Sequence, residues 1–277
     1  MTGSGFGTRL AGLVARRGPL CVGIDPHPAL LRQWGLDASV AGLERFARSI
    51  VDTLAGEVAV LKPQSAFFEA YGSAGIGVLE RVLADCRAAG TLSLLDVKRG
   101  DIGSTMAAYA QAYLADGAVL RADAITASPY LGFGALAPAL ETARANGRGV
   151  FVLAMTSNPE GTAVQRAWFD GVGVAQAVID AAGRRNAEVA GYGDTGVVIG
   201  ATIGDHRLDL SALGGPILAP GFGAQGAGPE ELKAVFGAAL PQVLPASARD
   251  VLRHGPDPAA LRTATRRIAA ELRGPTG

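Results

Sequence analysis

The chain is short of cysteine and histidine, has no excess of either charge and contains no long apolar run, and each shortage removes a class of function. Two cysteines in 277 residues, Cys21 in a strand-like apolar run and Cys86 in a helix-like one, offer neither a CxxC nor a metal-ligand spacing. They read as small core residues of a protein kept in a reducing compartment. The three histidines, His27, His206 and His254, are scattered, and the carboxylates stand beside lysines rather than in clusters of their own, so no metal is expected. Lysine plus arginine equals aspartate plus glutamate at 25 each, so no global field invites nucleic acid or an anionic membrane surface. Any anion must be held by a local site. No window approaches the ~20 uninterrupted apolar residues of a membrane span, and Met1–Gly5 has no apolar signal core. The expected location is cytoplasmic.

What is present is enough apolar side chain, 49% of the residues, to bury a large core. Short β-branched or Leu-rich runs alternate with longer Ala-rich stretches of helical period. Eight runs read as strands: 20–25, 58–62, 92–97, 122–127, 150–154, 197–201, 216–219 and 242–246. Helical candidates lie between them at 40–55, 74–89, 104–115, 133–145, 168–187, 205–212 and 229–238, with a last one at 258–272 and a leading one near 6–16. Eight strand-helix repeats with no Ser/Pro-rich linker predict an α/β fold: a closed (β/α)8 TIM barrel with an extra N-terminal helix, one domain over 1–277.

Chemistry in such a barrel sits where the strands end. The third run continues Leu94-Leu95-Asp96-Val97-Lys98-Arg99-Gly100-Asp101-Ile102-Gly103-Ser104-Thr105, crowding charge onto a strand end. Strand alternation points Asp96 and Lys98 the same way and Val97 the other. Gly100 breaks the strand, which lets Asp101 swing back toward the Lys98 ammonium, giving a negative-positive-negative array. An anionic substrate against Asp96 would be repelled, while a carbanion formed there would face an ammonium, which suits loss of carbon dioxide. The plain alternative is an ion network filling the barrel end, but so many charges are hard to solvate unless the site is open.

Polar residues recur at other strand ends: Gly23-Ile24-Asp25-Pro26-His27, Leu61-Lys62-Pro63-Gln64 and Thr126-Ala127-Ser128-Pro129-Tyr130-Leu131-Gly132. The seventh strand runs into Pro220-Gly221-Phe222-Gly223-Ala224-Gln225-Gly226, where glycines would let backbone amides cradle a phosphate. Ser247 and Arg249 at the end of the eighth strand add a hydroxyl and a guanidinium to that corner. A flexible surface turn is the alternative for the glycines. His27 reads as a rim contact, Trp34 and Trp168 as packing residues on helix-like segments, and Thr156–Gly161 as a candidate lid.

Together DVKRGDI, LKPQ, GID, ASPYLG and PGFGAQG resemble the orotidine 5′-phosphate decarboxylase family, in the longer bacterial branch that includes mycobacterial members. The resemblance runs in order from Asp25 to Arg249. It implies a cofactor-free carboxy-lyase that converts orotidine 5′-monophosphate to UMP and carbon dioxide, the last step of de novo UMP synthesis. Carried over by position, it makes Lys98 the general acid and Asp96 the carboxylate facing that of the substrate. Asp101, with Ile102 and Thr105, would serve the neighbouring subunit's site across a homodimer. Asp25 and Lys62 would hold ribose hydroxyls, Ser128 with Pro129 the pyrimidine edge, and Gly221, Gly223, Gln225, Gly226, Ser247 and Arg249 the phosphate corner. Ser128 departs from the Asn of this branch. Two rivals stay open: a metal-dependent barrel acting on sugar phosphates, and a nucleotide-binding barrel without chemistry.

Overall fold

The computed structural model describes residues 5–204, 207–223 and 226–273. Eight parallel strands close into a barrel: β1 (Cys21–Ile24), β2 (Val60–Pro63), β3 (Leu92–Arg99), β4 (Ala124–Ala127), β5 (Gly149–Met155), β8 (Thr195–Ile199), β9 (Ile217–Pro220) and β10 (Val243–Ser247). A small antiparallel hairpin, β6 (Trp168–Phe169) and β7 (Val172–Gly173), stands outside it. Each strand pairs with its predecessor, and β1 pairs with both β2 and β10, which closes the ring. All eight expected strand runs are in the barrel, so the expected fold is the one formed.

The strands are buried on both faces, as parallel strands covered by helices must be. An outer apolar layer lies between strands and helices, and a second cluster fills the lower interior. The N-terminal helix Phe6–Arg17 plugs the bottom: Phe6 meets Phe151 of β5 edge to face at 6.0 Å, and Arg9 pairs with Asp123 at 2.7 Å. Asp123 in turn accepts from the Ser93 backbone N–H and hydroxyl, locking the starts of β3 and β4. The bottom is thus closed by the Phe6–Phe151 contact and the Arg9–Asp123 pair. Cys21 and Cys86 are free, buried thiols whose pKa burial pushes up to about 12, so both behave as small core residues. Among the described residues no helix is long and apolar enough to cross a membrane.

Two expected helices are corrected. Residues 168–187 are not one helix: the hairpin comes first, then a helix over Val174–Asn186. Asp170 and Gly171 both take positive φ, 51° and 78°, the backbone of a tight hairpin turn, and this Asp-Gly signal outweighs the helical period. Trp168 is therefore no packing residue but 75% exposed, whereas Trp34 is buried and donates its indole N–H to Leu252 O at 2.8 Å. The expected helix at 205–212 is also missing from residues 207–212, its first two positions lying outside the described residues. Asp209 instead accepts from Ser211, and Gln176 bonds both backbone groups of Asp209, so side chains give this loop its hydrogen bonds.

Candidate active site

Four charged groups from three adjacent strands meet at the barrel mouth. Lys62 leaves the end of β2 almost fully buried, with its Nζ 3.0 Å from Asp96 Oδ2, 3.3 Å from Gln64 Oε1 and 3.9 Å from Asp25 Oδ1. Asp96 on β3 is equally buried, and its other oxygen, Oδ1, receives the Lys98 ammonium at 2.6 Å and the Thr126 hydroxyl at 2.8 Å. A carboxylate held by two ammonium groups and a hydroxyl stays ionised. Burial alone would raise the Asp96 pKa; Lys62 and Lys98, with the Lys98 and Thr126 hydrogen bonds, outweigh it and bring the value down to about 2. For Lys62 burial is likewise the largest effect and pulls downward, but Asp25 and Asp96 carry it above the ordinary lysine value.

The strand-end irregularity that aims Lys98 is visible in the backbone. Pairing between β3 and β4 slips between Leu95 and Arg99, and Lys98 sits at φ 46°, the left-handed region that costs a non-glycine residue energy. Asp96 and Lys98 share a face as alternation requires, while Val97 is buried in the outer apolar layer. Arg99 turns outward to pair with Glu69 at 2.6 Å and lies over the Tyr109 ring. Gly100 is needed because a Cβ there would stand 2.3 Å from the Ser128 carbonyl oxygen, so the loops after β3 and β4 are pressed together. Ser128 donates its backbone N–H to Arg99 O at 2.8 Å, bringing Ser128 and Pro129 beside the charge array.

Asp101 corrects the expected array. Its carboxylate accepts the Ile102 backbone N–H at 2.8 Å, and among the described residues no ion pair joins it to Lys98. The helix Gly103–Leu114 begins two residues after it, with Ile102 at its N-cap. Ile102 is 61% exposed and Thr105 is exposed.

Beside Lys62 lies a cavity of about 470 Å³ lined in part by Asp25, His27, Lys62, Gly221, Ser247 and Arg249. Asp25 Oδ1 and Ser247 Oγ are buried there without a hydrogen-bond partner among the described residues, a feature of a site built to receive polar ligand atoms. The glycine loop departs from expectation. Gly223 donates its N–H to Ala227 O and Gly226 donates to Gly223 O, both at 2.7 Å, because the loop closes on itself through a Phe222–Ala227 bridge. Those two amides are spent inside the loop; the exposed Arg249 guanidinium and the Ser247 hydroxyl are donors of this corner among the described residues. Gln225 lies outside the described residues.

Thr126 stands in the sequence among the polar residues at strand ends, without a role of its own. Its signal is a hydroxyl-bearing side chain at the end of an otherwise apolar strand, directly across from the third strand's carboxylate. Gln64, which accepts from Lys62, stood in the LKPQ motif without a role.

Comparison with known proteins agrees with this geometry. Residues 18–264 match the family described as Orotidine 5′-phosphate decarboxylase / HUMPS. The orotidine 5′-phosphate decarboxylase of Salinispora arenicola is 61% identical over 269 residues, covering 97% of both chains. That of Streptomyces coelicolor is 56% identical over the same length, again with 97% of each chain covered. A crystal structure of a Streptomyces avermitilis protein, 56% identical, superposes with a TM-score of 0.95 over 99% of this chain and 96% of the other. Leishmania donovani OMP decarboxylase superposes with a TM-score of 0.75 at 29% identity, covering 97% of each chain. The barrel, the lysine-aspartate array at its mouth and these matches along the chain agree: the protein belongs to the orotidine 5′-phosphate decarboxylase family.

Proposed function

We propose that this chain decarboxylates orotidine 5′-monophosphate to UMP without a metal or cofactor, in the final step of UMP synthesis in the cytoplasm, acting as one unit over its whole length. The observation that carries the reading is Asp96 held ionised between Lys62 and Lys98. The C6–carboxylate bond breaks, carbon dioxide leaves, and the electron pair stays in an in-plane orbital at C6 that the ring cannot delocalise. The Lys98 ammonium faces that charge and then gives its proton to C6, regaining one from solvent. One ammonium at ~4 Å contributes about 4 kcal/mol at an effective dielectric of 20. Enzymes lower barriers by ~8–23 kcal/mol, so fixed dipoles, water exclusion and phosphate binding energy must supply the rest.

Asp96 faces the substrate carboxylate in this scheme, and departure of carbon dioxide relieves their repulsion. Asp25 and Lys62 take ribose hydroxyls, Ser128 and Pro129 border the base, and Ser247 and Arg249, with Gln225, take the phosphate.

Asp101, which makes no ion pair with Lys98 among the described residues, serves a second copy of the chain, with Ile102 and Thr105 beside it. Exposed apolar side chains beside this segment support a homodimer: Ile102, Tyr130 at 78% and Leu131 at 52% exposure.

The test is the ultraviolet absorbance of orotidine 5′-monophosphate mixed with purified protein in chelator. Loss of the orotate chromophore supports the reading. Nucleotide bound but unchanged would replace it with a binding protein, and turnover of sugar phosphates that requires magnesium would replace it with the rival barrel chemistry.

A further inference from the structure

Thr126 lies wholly buried at the end of β4, beneath the Asp96–Lys98 pair. Its one hydroxyl is used twice: it accepts the Lys98 backbone N–H at 2.9 Å and donates to Asp96 Oδ1 at 2.8 Å. Lys98 is at the left-handed φ of 46°, just where pairing between β3 and β4 slips. A strained residue keeps its conformation only when its surroundings hold it there, and here the hold comes from a side chain on the neighbouring strand. The same oxygen that fixes the Lys98 backbone also orients the carboxylate its ammonium contacts. The two charged groups are therefore registered to one another through a third residue.

We propose that Thr126 is a positioning residue for decarboxylation, setting the placement of Lys98 relative to Asp96 without itself touching substrate. The proposal rests on the decarboxylase reading above. Valine replaces the hydroxyl with a methyl of nearly the same volume, removing both hydrogen bonds while preserving the packing. Misplacement of a reacting group by about 1 Å can cost ~100-fold in rate. Ribose and phosphate contacts lie on other strands, so binding should be spared.

The experiment measures kcat and KM for orotidine 5′-monophosphate, and UMP affinity, for wild type, Thr126→Val and Thr126→Ser. The expected result is a roughly 10- to 100-fold fall in kcat for Thr126→Val, with KM and UMP affinity within about threefold, and recovery of kcat to within about threefold in Thr126→Ser. A kcat for Thr126→Val within threefold of wild type overturns the proposal. So does a Thr126→Ser variant as slow as Thr126→Val, because shape rather than the hydroxyl would then matter. If Thr126→Val does not fold, Thr126→Cys takes its place, since a thiol keeps the volume but hydrogen-bonds weakly; wild-type kcat there overturns the proposal equally. Failure of the wild type to consume the nucleotide is a separate outcome that defeats the decarboxylase reading itself.

Discussion

A buried carboxylate shared by two ammonium groups is stabilised as an anion only while both partners are in place. The Asp96 pKa, lowered from 3.8 to about 2, ties that arrangement to stability. Because the folded value lies below the unfolded one, the stabilisation is complete above pH 4 and is lost as pH falls through about 2. It amounts to about 2 kcal/mol. Denaturant unfolding between pH 5 and 2 should therefore show a smaller pH-dependent loss in Asp96→Asn than in wild type, by roughly that amount, although the variant is less stable throughout for want of a partner to Lys62. Equal losses in the two proteins would mean that the carboxylate is not held as described. At this scale the sequence was informative about identity and less so about direction. Asp96 and Lys98 sharing a face follows from strand alternation, but the bond of Asp101 to the Ile102 N–H rather than to Lys98 is set by the backbone of the loop, and the tie through Thr126 by the register between β3 and β4. Neither follows from alternation along the strand.

The elements divide into those that build the mouth and those that seal the bottom. Phe6 is buried against Phe151 at the sealed end, and its removal leaves a cavity that the rigid strands cannot collapse around. Phe6→Ala should lower unfolding free energy by about 3–5 kcal/mol while kcat stays near wild type, because Lys62, Asp96 and Lys98 lie at the other end. A collapse of kcat with little loss of stability would contradict this division. The hairpin has its own test. The protein has two tryptophans, one buried and one 75% exposed, so Trp168→Phe should abolish most acrylamide-accessible emission and leave the shielded signal of Trp34. Emission still readily quenched in that variant would place Trp168 elsewhere. Strands were legible because both faces of a parallel strand are apolar, which leaves short unbroken runs. Two helices were misread where turn chemistry decides: an Asp-Gly hairpin at 170–171, and a loop at 207–212 tied by Gln176, Asp209 and Ser211.

Ile102, next to Asp101, with Tyr130 and Leu131 of the loop after β4, is among the exposed apolar side chains of the molecule, which is what a shared-site dimer would need. Mixing Lys98→Ala with Asp101→Ala subunits under exchange should restore activity to about a quarter of wild type. Half of randomly paired dimers are mixed, and one of their two sites carries neither lesion. Verified exchange without recovery would confine each site to one chain. The account rests most heavily on Lys98 as the group that meets the developing charge and supplies the proton. The most direct measurement is kcat for Lys98→Ala beside its affinity for UMP. An ammonium contribution of about 4 kcal/mol predicts a loss of about a thousandfold or more in kcat, with UMP binding retained. A contamination-controlled variant that turns over within tenfold of wild type would contradict the account.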